Sequence, residues 1–185
     1  MSEPDWRIRS GRLADRGSLS SFDCANPAVE FEVEVEQFIR TQLIDWATAP
    51  GAADDDPRLL LALVRATGEL FGVAAHERVI FQGSDDSLFN ATKLEVAAIA
   101  KPWQGYRFHT GERTSDVLMS AVMTDVSARV PPRDTRVFGI VHKDNQRSIA
   151  LCRRYGLVEE MSSPDPKYRR LVTAHRPSLR DHNRP

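Results

Sequence analysis

The chain has 185 residues, of which 41% are hydrophobic and 28% are charged, values ordinary for a globular protein in water. The length suits one domain with its own core. A formal net charge of -1 excludes a strongly basic nucleic-acid-binding protein, although it does not exclude a local basic cleft. No apolar run approaches the roughly 20 residues of a membrane helix. The start "MSEPDWRIRSGR" lacks the apolar core of a secretory signal, so we expect a cytoplasmic protein without a membrane partner.

The two cysteines, Cys24 and Cys152, lie far apart and show no metal-ligand spacing. This pattern predicts neither a disulfide framework nor a zinc site. We therefore expect no metal cofactor.

The first part of the chain contains one ambiguous segment. "WRIR" predicts a short first strand. In "NPAVEFEVEVEQFIRTQLIDWA" the first half alternates as a strand does, whereas the second half has apolar residues at helical spacing. No turn residue separates the halves, and Asn26 can cap a helix whose first turn holds Pro27. We predict helix throughout, followed by a loop at "TAPGAADDDP".

Three strands are predicted in the middle of the chain. "LLLALV" and "LFGVAAHERVIFQ" form a hairpin around "TGE". "ATKLEVAAIA" is the third strand, ending at Lys101, which precedes a proline and therefore favours extended geometry.

A helix is predicted from about Ser115 to Arg129. Its apolar residues recur at helical spacing: Leu118, Ala121, Val122 and Val126. "RVFGIV" then predicts a buried strand, and "NQRSIALCRRY" predicts a helix that ends at Gly156 in the left-handed conformation. "GLVEEMS" and "RRLVTAH" predict two final strands. This order favours an α/β (α+β) fold with a mixed sheet, in one domain over residues 1–176 with a loose tail at 177–185.

The stretch "AAIAKPWQGYRFHTGERTSDVL" has the composition of a phosphate-binding loop. It holds two glycines, two arginines and two hydroxyl residues: Gly105, Gly111, Arg107, Arg113, Thr114 and Ser115. The glycines let the backbone approach a ligand, the arginines offer charge-assisted hydrogen bonds, and either hydroxyl residue can cap the following helix. A helix N-terminus attracts phosphate. A solvated loop with ordinary turn glycines explains the composition equally well.

A second stretch, "VFGIVHKDNQRSIALCRRYGLVEE", changes this balance. A strand, an asparagine that opens a helix, and "GL" before another strand resemble the GNAT superfamily of acyl-CoA-dependent N-acyltransferases. The matching positions are Asn145, Ser148, Leu151, Gly156 and Leu157. "IAKPWQG" resembles the strand-to-loop signature of the same family, in which "QG" or "RG" begins the pyrophosphate loop. The resemblance covers roughly residues 59–158.

The resemblance implies a mostly antiparallel, splayed central sheet flanked by helices. It implies acetyl-CoA, or another acyl-CoA, as acyl donor and a small-molecule or protein amine as acceptor; nucleic acid is not an expected partner, and a homodimer is compatible. By position, the backbone of Ala98, Ile99 and Lys101 would bind the pantetheine arm like an added strand. The loop from Gln104 to Ser115 would hold the pyrophosphate. Asn145 would contact the cofactor's arm from the opposite side; the alternative is a plain N-terminal helix cap.

The chain departs from the family pattern at two places. Its loop is longer than the usual R/Q-x-x-G-x-G/A sequence. The family's tyrosine, which protonates the leaving thiolate, lies seven residues after the asparagine, where this chain has Cys152. Tyr155 lies nearby. Cys152 could donate the proton, but such a cysteine is more often a small core residue.

A carboxylate on the central strand often serves as the base in this family. Glu95 shares a strand face with Ala97 and Ile99, which makes it the first candidate. His76 and Glu77 are further candidates. The alternative for Glu95 is a solvent-facing strand glutamate.

The segment "LSSFDCANPAVEFEV" is similar to the "FDCG" entry to the first helix in the toxin branch of the superfamily, which acetylates aminoacyl-tRNA. Ala25 replaces the glycine here, and those members are often basic. Phe22 and Cys24 are more simply packing residues at a helix entry. The glutamates that follow could draw a cationic amine, but a solvated helix face is the commoner explanation. The sequence thus favours an N-acyltransferase; the alternative is a non-catalytic acyl-CoA-binding or partner-binding module on the same fold.

Overall fold

A computed structural model describes residues 5–48, 56–82, 88–129, 136–162 and 165–173. Its contacts divide the chain into two compact units. The first unit contains the described residues up to His76 together with Val96–Val122. The second contains Glu77–Glu95 and the described residues from Met123 onward. The predicted tail at 177–185 lies outside the described residues.

Seven strands, five α-helices and two short 3-10 helices are present in the described residues. The strands are β1 (Trp6–Ser10), β2 (Arg58–Val64), β3 (Leu70–Gln82), β4 (Leu88–Ile99), β5 (Arg136–His142), β6 (Leu157–Ser162) and β7 (Tyr168–Thr173). The helices are α1 (Arg16–Ser20), α2 (Glu30–Thr41), α3 (Leu43–Thr48), α4 (Thr114–Arg129) and α5 (Gln146–Arg154). The strand order is β1-β2-β3-β4-β5-β7-β6. β4 and β5 pair in parallel, whereas the β1–β2, β2–β3, β5–β7 and β6–β7 pairs are antiparallel, which confirms the mixed sheet.

The ambiguous segment is helical, but it begins later than predicted. α2 starts at Glu30, and its N-cap is Val29 in an extended conformation. The Asn26 side chain does not cap it; Asn26 Oδ1 accepts a hydrogen bond from the Ala28 N–H at 3.1 Å, which closes a local turn instead. The prediction that Pro27 occupies the first turn is therefore wrong. A break at Gln42 separates α2 from α3.

The core of the first unit lies between one face of the sheet and helices α1 to α3. Alternate residues of β2 point into it, because successive strand residues face opposite sides. The buried members of this core are Leu19, Phe22, Cys24, Ile39, Leu43, Ile44, Leu59, Leu61, Leu63, Val73, Ala75, Val96, Ala98 and Ala100. Phe22 and Cys24 are therefore core residues, as the simpler interpretation of "FDC" predicts.

β4 ends two residues earlier than predicted. The strand stops at Ile99, and Lys101–Trp103 form a 3-10 turn with Pro102 within it. The backbone N–H of Lys101 donates to the Asp23 carbonyl at 2.8 Å. Lys101 is therefore the first residue of this turn and not the last residue of the strand.

In the second unit, the predicted elements around α5 are confirmed. Asn145 is the N-cap of α5, and its Oδ1 accepts from the Ser148 N–H at 3.0 Å. Gly156 follows the helix with φ 77°, the left-handed conformation predicted for it. Ala91 of β4, Phe138 of β5 and Val172 of β7 form a small buried cluster, and Val79 of β3 packs against it.

Candidate functional site

β4 pairs with β5 in parallel over a short register. The register runs from Ala91 with Arg136 to Leu94 with Gly139, four pairs, although β4 continues to Ile99. Among the described residues, β4 beyond Leu94 therefore has no β5 partner for its backbone groups. An extended chain with amide groups can add to such a strand edge. The pantetheine contact that the family resemblance implies for Ala98 and Ile99 stays a prediction.

Lys101 does not share this edge. Its backbone N–H already donates to the Asp23 carbonyl, and its Nζ lies 2.7 Å from Asp23 Oδ1. That hydrogen bond raises the pKa of Lys101 and lowers that of Asp23. The predicted pantetheine contact of Lys101 is thus not supported, because its donor is used within the chain.

The face of β4 that carries Glu95 is partly open. Ala97 is exposed and Glu95 and Ile99 are half-buried, while Val96 and Ala98 point into the core. Glu95 Oε1 lies 2.5 Å from the Nζ of Lys93, which shares this face. This ion pair lies on the strand face that carries the predicted base.

The loop after β4 forms a small hairpin. Arg107 and Arg113 face each other across an isolated antiparallel bridge, and Arg107 Nη1 donates to the Gly111 carbonyl at 2.9 Å. Gly105 and Gly111 have φ of 77° and 87°. Residues with a side chain rarely adopt this conformation, so both glycines are required by the turns. The loop is longer than the family's sequence pattern, and the additional residues form this hairpin.

A cluster of four aromatic rings holds this hairpin. Phe71 on β3 contacts Trp103 at 5.7 Å and Phe108 at 5.5 Å between ring centroids. Tyr106 packs edge-on against Trp103 at 4.8 Å and against Phe108 at 5.5 Å. Phe71 and Phe108 are buried, whereas Tyr106 is 45% exposed. The hairpin is thus held by the contact of Phe108 with Phe71, whereas the Tyr106 ring is partly exposed to solvent.

Two polar residues of the loop serve its own structure. Thr114 begins α4 and is buried, and its Oγ1 donates to the Trp103 carbonyl at 2.8 Å. The predicted helix cap by Thr114 is therefore wrong, since its hydroxyl points to the preceding turn. Gln104 Nε2 donates to the carbonyls of Cys24 and Ile99 at 2.7 and 3.1 Å. Ser115 is half-buried in the first turn of α4, where unpaired backbone N–H groups favour phosphate.

Two glutamates of α2 accept hydrogen bonds from the backbone of "FDCAN", which the sequence pattern does not predict. Glu36 Oε2 accepts from the backbone N–H groups of Cys24 and Ala25, both at 2.7 Å. Glu32 Oε2 accepts from the Asn26 N–H at 2.7 Å. These two glutamates therefore act as internal acceptors rather than as attractants for a cationic amine. The only sequence signal is their four-residue spacing on one helix face.

Burial argues against Cys152 as a catalytic acid. Its thiol is buried, and desolvation raises its pKa to about 11. Burial also keeps the thiol from reaching a leaving group at the surface of the protein. Tyr155 is also buried, at the C-terminal end of α5. Cys152 instead packs in the core with Ile149 on the same helix face.

We expect Cys152→Ala to retain full turnover. We also expect neither native thiol to react readily with a disulfide reagent at pH 8, because burial raises the pKa of Cys24 to about 12 as well. At that pH about one Cys152 thiol in a thousand is ionised. The measurement is thiol titration before and after unfolding in guanidinium, with two equivalents appearing only afterwards. Rapid native labelling at Cys152, or a large loss of turnover in the alanine variant, would contradict this account.

The other candidate bases lie on β3. His76 is fully buried, and Glu77 is half-buried. Full burial makes His76 inaccessible to a substrate in this conformation. Within the described residues, no group of histidine, cysteine and carboxylate side chains is arranged to hold a metal ion. No helix in that part of the chain is long and apolar enough to cross a membrane.

Comparison with solved structures identifies the fold. A mutant form of the AtaT toxin, solved bound to the C-terminus of the antitoxin AtaR, is 17% identical with a TM-score of 0.62, covering 91% of this chain and 94% of that one. The PaiA N-acetyltransferase of Thermoplasma acidophilum, in complex with coenzyme A, is 13% identical with a TM-score of 0.62, covering 94% and 99%. NAA60 of Arabidopsis thaliana, in complex with a bisubstrate analogue, is 14% identical with a TM-score of 0.58, also covering 94% and 99%.

These likenesses span nearly the whole of each chain, so the fold of this protein is that of the GNAT superfamily, as the sequence predicts. No family model and no curated protein sequence matches the chain. At identities of 13–17% the comparison establishes architecture, and the chemistry has to be argued from the residues.

Proposed function

We propose that this protein is an N-acyltransferase that transfers an acetyl group from acetyl-CoA to a primary amine. The observation that carries the proposal is the short β4–β5 register, because it leaves the backbone of β4 beyond Leu94 available to an extended ligand. The GNAT-type fold and the glycine-containing loop before α4 support the same conclusion. The cytoplasmic location and the absence of a metal requirement remain expectations of the sequence.

Each residue would have a limited task. The backbone near Ala98 and Ile99 would align the pantetheine arm, and the first turn of α4 at Ser115 would face the pyrophosphate. Glu95 would accept a proton from the amine as its nitrogen attacks the thioester carbonyl. The C–N bond would then form, the C–S bond would break, and coenzyme A would leave as a thiolate that takes a proton from solvent, while Glu95 returns its proton to solvent. Holding the amine and the thioester together in a reactive geometry would itself lower the barrier.

The test has two stages. Isothermal titration with acetyl-CoA measures binding, and release of free thiol over a panel of primary amines measures transfer. We expect saturable binding and amine-dependent release. Absence of acetyl-CoA binding would refute the proposal, and an equal rate of thiol release with and without every amine would refute amine transfer.

The buried Cys152 favours a second function, a non-catalytic acyl-CoA-binding or partner-binding module. The position at which the family's acid is expected holds a thiol that is buried and weakly acidic. Binding of acetyl-CoA without thiol release from any amine supports this alternative.

The Asn145 side chain allows its two interpretations to be separated. Asn145→Ala removes both the helix cap and the amide that would contact the cofactor, whereas Asn145→Ser retains a capping oxygen. We expect the alanine variant to lose about 1 kcal/mol of stability and the serine variant to lose less. If Asn145 binds the cofactor, both variants weaken acetyl-CoA binding in titration. Wild-type affinity in the serine variant would leave Asn145 as a cap only.

A further inference from the structure

Helix α2 holds the "FDCAN" stretch, which we call the 22–26 segment, through one carboxylate. Glu36 Oε2 accepts from the backbone N–H groups of Cys24 and Ala25, both at 2.7 Å. The other oxygen, Oε1, lies 3.0 Å from Arg40 Nη2, and the Glu36 side chain is only 13% exposed. Hydrogen bonds to a charged acceptor with little access to water are stronger than ordinary ones. The backbone of the segment is therefore firmly bound to α2.

The 22–26 segment is also bound by the residues that follow β4. The Lys101 N–H donates to the Asp23 carbonyl at 2.8 Å. Gln104 Nε2 donates to the Cys24 carbonyl at 2.7 Å. Because both acceptors are main-chain carbonyls, these bonds hold the backbone of the segment and not merely one of its side chains. The segment therefore connects α2 to the chain just beyond β4.

Gln104 extends this connection to β4 itself. Its Nε2 also donates at 3.1 Å to the carbonyl of Ile99, the last residue of the strand. The N–H of the next residue, Ala100, donates to the Phe71 carbonyl of β3 at 2.9 Å. Successive residues of a strand direct their backbone groups to alternate sides, so the Ile99 carbonyl faces the edge of β4 opposite β3. In the described residues, this is the edge that has no β5 partner beyond Leu94.

We infer that Glu36 is a positioning residue for the acyl donor. Glu36 holds the 22–26 segment, the segment holds Gln104, and Gln104 fixes the end of the β4 edge along which the pantetheine arm would lie. The inference rests on the proposed function and adds to it a role for α2, in which Glu36 acts through the backbone without touching the donor. The carboxylate is required because a glutamine has a single acceptor oxygen and adds two N–H donors. The two backbone bonds and the contact with Arg40 cannot then all be kept.

The experiment measures acetyl-CoA affinity by isothermal titration in Glu36→Gln, Gln104→Ala and the double variant, with thermal melts to verify that each is folded. We expect each single change to weaken binding about five- to 50-fold. The double variant should bind about as well as either single variant, because both changes break the same connection. Steady-state thiol release should show a higher KM for acetyl-CoA in Glu36→Gln with kcat unchanged, since the change affects donor binding only. A residue that only stabilises the fold would lower the melting temperature and leave affinity and KM unchanged.

Glu34→Gln is the matched control, because it is the same substitution at an exposed glutamate of α2 and should bind acetyl-CoA as the wild type does. If Glu36→Gln does not fold, Glu36→Asp replaces it, since aspartate keeps the charge but is too short to reach the segment. Wild-type affinity in the folded Glu36 variant overturns the inference, while the proposed function stands. Additive losses in the double variant overturn it as well, because the two residues would then act independently. A wild-type protein that does not bind acetyl-CoA refutes the proposed function itself.

Discussion

Replacement of Glu95 by glutamine is expected to slow amine acetylation at least about 100-fold, with acetyl-CoA affinity unchanged. Glutamine preserves the shape of the side chain but cannot accept the proton of the attacking amine. Lys93, 2.5 Å away on the same strand face, loses its ion-pair partner in this variant, but the β4 backbone that would bind the donor is not altered. Steady-state thiol release, combined with titration of acetyl-CoA, provides the measurement.

Two further variants serve as controls for the Glu95→Gln result. Glu34→Gln removes an exposed carboxylate of α2 and should leave turnover as in the wild type. Glu77→Gln tests the competing candidate on β3. Wild-type turnover in Glu95→Gln would eliminate Glu95 as the base, and a selective loss in Glu77→Gln would transfer that role to β3.

Phe71→Ala is expected to reduce the free energy of unfolding by about 3–5 kcal/mol. Phe71 is fully buried, and its ring supports both Trp103 and Phe108 beneath the loop hairpin. The lost ring leaves a cavity that the anchored hairpin cannot easily fill. Urea unfolding followed by tryptophan fluorescence, with the far-ultraviolet circular dichroism as a second probe, measures the change.

Phe71→Leu is the corresponding control, because it retains most of the buried volume and should cost less than about 1.5 kcal/mol. If the aromatic cluster positions the loop, the alanine variant also weakens acetyl-CoA binding under conditions where it is still folded. Equal unfolding free energies for the alanine variant and the wild type would contradict the assigned packing.

The sequence by itself determined most of the elements and the fold. Strand and helix periodicities, the "TGE" turn, the Asn145 cap and the Gly156 terminator depend on local chemistry, and each is present in the structure. The ordered combination of the Asn145 helix and the loop after β4 was sufficient to predict the fold that the solved structures share. Local signals work here because caps and left-handed turns involve atoms only a few residues apart.

Only the tertiary structure decided how polar atoms distant in sequence are used. The Asp23 carbonyl accepts a hydrogen bond from the Lys101 N–H, just after β4 ends. The Glu36 carboxylate accepts hydrogen bonds from the N–H groups of Cys24 and Ala25, so this glutamate of α2 binds the chain's own backbone. Burial of Cys152 likewise depends on what packs around α5, which raises the pKa of the thiol beyond anything its sequence position indicates. Buried donors and acceptors must find partners wherever the fold brings them together, so residue type and spacing alone could not assign these roles.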